Sequence, residues 1–404
     1  MKRGHLSEYF TGVAVKRLSA VEADVFRSHQ HEFNGVEALK RLFGDAAGKV
    51  QFEAKFIYLC DNDEDPVESN GFLTWYDARE RHPTRSEHRL YFPANPAIDC
   101  AAEGDVLVLA KRPDNSVLVV VAEKDTTVSN QVQWLFGLND LTHPGFSIRE
   151  ELETDRDRIA LTSRTILESI GVEVETPPDT HLDDMLRMFH GTFPATRAFS
   201  AYARNTLPGI DSQDDPDAAV IAWMEREEIL FRTLERHLIA KYLAELNKTD
   251  IENFLGFSKS IQNRRMSRAG YALENHLEEV FTKFQIRHSR NPTTESSSRP
   301  DFIFPGSAEY HDPEFDLGKL TMLGVKSTCK DRWRQILAEA DRIKLKYLFT
   351  LESAISVNQT NEMRAKGLQL VLPQSLHTTF LPKQREWLLS LEEFIALVLE
   401  RQSA

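Results

Sequence analysis

The hydrophobic pattern of this 404-residue chain changes period at Glu175-Thr176-Pro177-Pro178-Asp179-Thr180, a proline-rich polar stretch with little to bury. Before it the pattern is that of strands. Residues 51–60 alternate, 71–76 are apolar and aromatic, and 105–110 face 116–122 across the turn Lys111-Arg112-Pro113-Asp114-Asn115. One helix is expected at 35–43. Beyond the stretch the period becomes helical, over 219–246 and again over 271–284. Strands then follow at 301–304, 321–327, 347–351 and 368–372. The last two flank a short helix at 361–366 closed by Gly367, the pattern of a crossover unit. Ser390-Leu391-Glu392-Glu393 reads as a capping box opening a final helix. Two domains are therefore expected: a mainly β one over 1–174 and an α/β one over 189–404, joined by a linker at 175–188.

Composition narrows the function classes. With 41% apolar and 9% aromatic residues the chain can bury real cores. Cys60, Cys100 and Cys329 show no paired spacing, which points away from a disulfide framework or a zinc site and toward a cytoplasmic protein. The longest apolar runs are strand-sized, so no membrane partner is expected. A net charge of −13 disfavours nonspecific coating of DNA but leaves sequence-specific binding open, because the local field decides. Basic residues gather at Arg264, Arg265 and Arg268, within 326–334 and within 79–89.

Three short pieces near the C-terminal end can build a divalent-metal site. Asp301, in Arg299-Pro300-Asp301-Phe302, stands at a strand start. Lys326, in Gly324-Val325-Lys326, ends an apolar strand, and Glu339 is placed on the helix that follows. Phosphodiester hydrolysis needs an activated water and an answer to the charge developing on the phosphate. Mg²⁺ supplies both and takes hard oxygen ligands, here Asp301 and Glu339. Lys326 would orient the water or offset phosphate charge, and Glu274 on the preceding helix is a candidate fourth member. Taken one at a time these are ordinary surface residues; placement on strand, strand and helix gives them weight. Lys330, Asp331 and Arg332 offer a donor, acceptor and donor suited to guanine and cytosine edges. Arg332 and Glu339 are seven residues apart, two turns of an α-helix, which predicts a shared face.

The blocks Asn263-Arg264-Arg265-Met266-Ser267-Arg268-Ala269-Gly270, Pro300-Asp301-Phe302, Ala308-Glu309-Tyr310-His311-Asp312 and the run from Lys326 to Leu337 resemble the EcoRII-like type II restriction endonucleases. The resemblance implies a PD-(D/E)XK nuclease domain, a mixed sheet flanked by helices, with one acid moved downstream to Glu339. It implies catalytic roles for Asp301, Lys326, Glu339 and Glu274, and readout of outer C·G pairs by Lys330, Asp331 and Arg332. Tyr310 matches a family tyrosine near the DNA. Thinner matches, at Lys16-Arg17-Leu18, Ser28-His29-Gln30, Tyr76-Asp77-Ala78-Arg79 and Thr84-Arg85-Ser86-Glu87-His88-Arg89, resemble the family's effector-binding domain, a DNA-binding pseudobarrel. On that mapping Lys16, His29, Arg79, Arg85, Glu87, His88 and Arg89 line a second DNA cleft; His88 stands where the family pattern has lysine.

The resemblance thus implies a Mg²⁺-dependent homodimer that cuts double-stranded DNA at a CCWGG- or CCNGG-like target and binds a second, effector copy of the site. A cognate cytosine methyltransferase is expected in the same system, though not as a physical partner. Two alternatives stay open: the same fold with a different or methylation-dependent target, and a sequence-specific DNA-binding repressor that does not cut.

Overall fold

A computed structural model describes residues 2–403 apart from 25–27, 29, 46–47, 62–64, 83, 139–140, 142–144, 175–178, 246–250, 328, 330–331 and 354. The chain forms two compact units. The first is Met1–Val174 together with Ser353–Gln359 and Thr378–Pro382; the second takes the remainder.

The first unit is built on one eight-stranded sheet. Its strands are β1 (Gly12–Arg17), β2 (Glu32–Gly35), β3 (Val50–Leu59), β4 (Val67–Asp77), β5 (His88–Tyr91), β6 (Val106–Lys111), β7 (Val117–Ala122) and β8 (Ser147–Arg149). Their order is β2-β5-β4-β3-β7-β6-β1-β8. Neighbours are antiparallel except β3 and β7. The unbroken apolar runs in β6 and β7 have a simple cause, because both faces of these strands are covered. Leu107, Leu109, Val117, Val119 and Val121 enter one apolar cluster with helix α1 (Glu37–Phe43). Val106, Val108, Ala110, Leu118, Val120 and Ala122 enter a second, closed by α2 (Thr127–Phe136) and α3 (Leu161–Ser169). The edge strands β2 and β8 approach through side chains, with the Phe33 and Phe146 rings 6.3 Å apart edge to face. The sheet is thus rolled toward a barrel.

The second unit carries a mixed five-stranded sheet in the order β13-β12-β11-β10-β9. Here β9 (Ser289–Arg290), β10 (Phe302–Phe304) and β11 (Thr321–Lys326) are antiparallel neighbours. β11, β12 (Lys346–Thr350) and β13 (Leu368–Val371) run parallel. The helices of this part are α4 (Leu182–Met188), α5 (Thr196–Asn205), α6 (Pro216–Glu245), α7 (Ile251–Lys283), α8 (Ser307–His311), α9 (Trp333–Ile336), α10 (Val357–Ala365, counted with this unit from Thr360 on) and α11 (Leu391–Ser403). α10 is the crossover between parallel β12 and β13. Ser390 and Glu393 make the reciprocal cap of α11, at 3.0 and 2.7 Å. Phe281 of α7 packs edge-on against Phe302 and Phe304, with centroids 5.3 and 5.1 Å away, fixing that helix against β10.

Two expectations meet a different arrangement. Residues 182–188, read as linker, form α4, because Met185 is buried against Phe199, Leu230 and Leu234. The linker residues Glu175, Thr176, Pro177 and Pro178 lie outside the described residues. The helix expected over 271–284 begins twenty residues earlier, at Ile251, as α7.

Candidate active site

Asp301 directly precedes β10 and is 8% exposed. Its Oδ2 accepts the Val325 N–H at 2.6 Å and the Lys326 ammonium at 3.0 Å. The antiparallel register that sets Phe302 against Leu323 brings the start of β10 to the end of β11, so acid and lysine meet without any loop between them. Glu339 completes the group. Burial pushes its carboxyl up to about 7, against the opposing pull of Lys326 and reinforced by the charge of Asp301. Its Oε2 is buried with no hydrogen-bond partner among the described residues. Glu274, on α7, is also buried and held above the ordinary carboxylate range, first by burial and then by Asp301.

How Glu339 arrives there differs from the expected two-turn helix. α9 spans only Trp333–Ile336. Beyond it the N–H groups of Leu337, Ala338 and Glu339 bond to carbonyls three residues back, at 3.3, 3.2 and 3.1 Å. The tighter winding, about three residues per turn, moves a residue seven positions on off the original face. Arg332 and Glu339 therefore do not share a helix stripe. The close packing of this segment depends on Gly324, where a Cβ would lie 2.6 Å from the Ile336 Cδ1. A bare position in the middle of β11 lets Ile336 sit against the strand and draws the following turn, with Glu339, toward Lys326.

Arg332 is exposed at the N-terminal edge of α9, its N–H bonded to the Cys329 carbonyl at 2.7 Å. Lys330 and Asp331 lie outside the described residues. Tyr310 is placed away from solvent, at 1% exposure. Its hydroxyl donates to Glu295 at 2.5 Å and Arg342 lies over its ring, so in this state it ties α8 to the chain after Glu339.

Sequence reasoning missed three residues around the group. Arg290 of β9 donates to Glu274 at 2.9 Å, to Asn275 at 2.8 Å and to Glu278 at 2.8 Å. Glu295 and Lys346 support the chain around Glu339. A lone basic residue at a strand end carries no signal distinguishing it from surface, and only the fold reveals its partners.

In the first unit the structure gathers part of the expected cleft. Glu87 takes Arg89 and Arg79 on its two oxygens, and these bonds, Arg89 first, hold its carboxyl below the usual range. Asp77 Oδ1 accepts the N–H groups of Arg79 and Glu87 at 2.8 Å each, fixing the turn between β4 and β5. Arg85 is exposed in that connection. Two residues are placed elsewhere. His88 faces the apolar interior, stacked 5.0 Å from Trp75, because it shares the inward face of β5 with Leu90. Lys16 is 7% exposed and paired with Glu22 at 2.6 and 2.8 Å. His29 lies outside the described residues.

Oxygen ligands for a hard cation are present as the Asp301 and Glu339 carboxylates. Among the described residues no group of three or more His, Cys, Asp or Glu side chains could hold a metal ion. A carboxylate pair with retained waters suits Mg²⁺, which seldom has an all-protein cage. The unpartnered, buried Glu339 oxygen beside Asp301 fits such a cation.

Residues 231–395 match the family model described as EcoRII C terminal. Over 240 residues, 56% of this chain, the sequence is 38% identical to the type II restriction enzyme EcoRII of Escherichia coli. The match covers 55% of that protein, so it spans about half the relative's length. Among solved structures the chain is similar to metal-depleted Ecl18kI in complex with uncleaved, modified DNA. That similarity has a TM-score of 0.45 and 18% identity, over 57% of this chain and 86% of that one. It is also similar to the restriction endonuclease PspGI in a substrate DNA complex, with a TM-score of 0.42 and 17% identity, over 52% and 94%. The stretch similar to the EcoRII C-terminal family model, residues 231–395, is the one that holds Glu274, Asp301, Lys326 and Glu339.

Proposed function

We propose that this protein is a type II restriction endonuclease that hydrolyses double-stranded DNA at a CCWGG- or CCNGG-like site with Mg²⁺. The observation that carries the reading is the Asp301–Lys326 pair at 3.0 Å with the buried, unpartnered Glu339 oxygen beside it, inside the matched domain. In PD-(D/E)XK terms, Gly324 occupies the place of the second acid, and Glu339 supplies that carboxylate from downstream. The Asp301 and Glu339 carboxylates would hold the Mg²⁺, which would supply Lewis-acid stabilisation of the phosphate and a more acidic water. Asp301 holds Lys326 in place through their ion pair, and the ammonium faces the position where anionic charge develops. Glu274, buried and paired with Arg290, offers a further acceptor beside the acid–lysine group.

A palindromic target suits a twofold homodimer in which each protomer cuts one strand. Lys330, Asp331 and Arg332 are assigned to the outer C·G pairs. Arg332→Ala is expected to lose about 1–3 kcal/mol of discrimination at one G·C pair. Sequencing of cleavage ends on a plasmid checks this; an unchanged cleavage pattern removes Arg332 from readout.

The first unit, with Arg79, Arg85, Glu87 and Arg89 around one turn, is assigned to a second copy of the site, binding of which relieves autoinhibition. A protein lacking residues up to 180 is then expected to cut plasmids bearing a single target as fast as plasmids bearing two. Single-site and two-site digests decide it, and a well-folded fragment that cuts neither would defeat the autoinhibitory role. Digestion of a sequenced plasmid with and without Mg²⁺ tests the function as a whole.

A further inference from the structure

The chain just after Glu339 is held in an unusual backbone state by residues outside the acid–lysine group. Ala340 has φ 51° and is 1% exposed. A left-handed backbone crowds a residue that carries a Cβ, so it persists only where neighbours fix it. Here they act from two sides. From the sheet, Lys346 at the start of β12 donates its ammonium to the carbonyls of Ala340 and Ile343, at 3.3 and 3.0 Å. The Ile343 N–H closes back on Ala340 at 2.9 Å. From the other side, Glu295 Oε2 accepts both the Tyr310 hydroxyl at 2.5 Å and the Asp341 N–H at 3.3 Å. The Arg342 N–H meets the Tyr310 hydroxyl at 3.4 Å, and the Arg342 guanidinium donates to the Tyr310 carbonyl. All three residues that follow the acid are thereby anchored.

Lys346 is an odd choice for a merely structural tie. It is 6% exposed, and burying an ammonium is unfavourable unless its surroundings repay the lost hydration. Those surroundings are acidic: Asp341, Glu339 and Glu295 all favour its charged form against the effect of burial. An apolar side chain would fill the start of β12 with less penalty, but it would take the ammonium from the Ile343 carbonyl and leave the Ala340 carbonyl with the Ile343 N–H alone.

We propose that Lys346, supported from outside by Glu295, is a positioning residue that fixes the turn at Ala340 and so aims the Glu339 carboxylate at the divalent cation. The proposal rests on the nuclease reading above. Lys346 touches no reacting atom; it acts through the main chain beside Glu339. Outer partners of this kind typically change metal affinity or activity by about 10- to 100-fold when removed.

The test uses the full-length protein with Lys346→Met, Lys346→Arg and Glu295→Ala. Three quantities are measured: Mn²⁺ affinity of the DNA complex by electron paramagnetic resonance, single-turnover cleavage with Mg²⁺, and metal-free affinity for the mapped target duplex. Lys346→Met is expected to weaken Mn²⁺ binding and slow cleavage by about tenfold or more each, with metal-free DNA affinity unchanged. Lys346→Arg, which retains donors, should recover most of both, and Glu295→Ala should move both in the same direction by a smaller factor. Parent-like Mn²⁺ affinity and rate in Lys346→Met overturn the proposal, as does a matching loss of metal-free DNA affinity. Should Lys346→Met fail to fold, Glu295→Ala decides, since Glu295 is exposed and its unchanged Mn²⁺ affinity also overturns the idea. A parent protein that neither cuts nor binds Mn²⁺ defeats the nuclease reading itself, an outcome distinct from an indifferent Lys346.

Discussion

Asp301→Ala is expected to abolish cleavage, by about 10²- to 10³-fold or more, while metal-free binding to the target duplex survives. The prediction follows from what Asp301 does at once: one oxygen holds both the Val325 N–H and the Lys326 ammonium. Removing it strips the site of a carboxylate and releases the lysine. It also leaves a buried N–H without its acceptor, at roughly 1–3 kcal/mol of stability. Asp301→Asn separates the two effects. The amide keeps an acceptor for Val325 but carries no charge, so it should fold like the parent and still fail to cut. Gel-shift and single-turnover assays on both variants settle the matter. Parent-like cutting by either one would remove Asp301 from the chemistry.

The second large effect concerns Glu339 and has a defined pH signature. Its folded-state pKa is about 7 against an ordinary 4.5, raised chiefly by burial. A carboxyl with a raised folded pKa stabilises the fold only while protonated. Its unfavourable contribution is absent below about pH 4.5, grows as pH rises, and is complete above about 7, where it reaches on the order of 2–3 kcal/mol. In chelator, the metal-free protein should therefore lose stability across that window. Glu339→Gln should melt well above the parent at pH 8 and close to it at pH 4.5, yet cut no DNA. Thermal melts at the two pH values are sufficient. An equal difference at both would mean that the ionised carboxylate is not strained in the fold.

The fold was legible where burial and hydrophobicity coincide. β6 as far as Ala110 and β7 throughout are apolar because a core lies on each face, and the turn between them is marked by Pro113 and Asn115. The cap of α11 could be read directly from Ser390 and Glu393. α2 could not be read, because it buries polar residues alongside its apolar Val132, Leu135 and Phe136. Thr127, Ser129, Gln131 and Gln133 are inside, with Thr127 bonded to the Ile355 carbonyl at 3.1 Å and Gln131 to that of Ser353. Those acceptors belong to the same compact unit but lie far along the chain, and no local pattern announces them. In the site, Asp301 and Lys326 were readable as a strand start and a strand end. The route to Glu339 was not, since periodicity assumes 3.6 residues per turn and the chain winds more tightly there. Lys16 and His88 show the same limit from the other side: cationic residue types were visible, but Glu22 and Trp75 as their neighbours were not.

The contact of Ile336 with bare Gly324 sets a condition on redesigning the target preference proposed for this protein. The segment carrying Arg332 and the segment carrying Glu339 share one short stretch of backbone, seated on β11 at a gap only a hydrogen atom fits. On the proposed nuclease function, libraries that randomise positions 330–335 while leaving 324 and 336 untouched would vary recognition on a fixed mount. Those that alter either contact residue shift the mount itself, and new specificity would come at the expense of turnover. Enlarging position 324 is workable only with a smaller partner at 336, so the two belong in one codon pair rather than two independent ones.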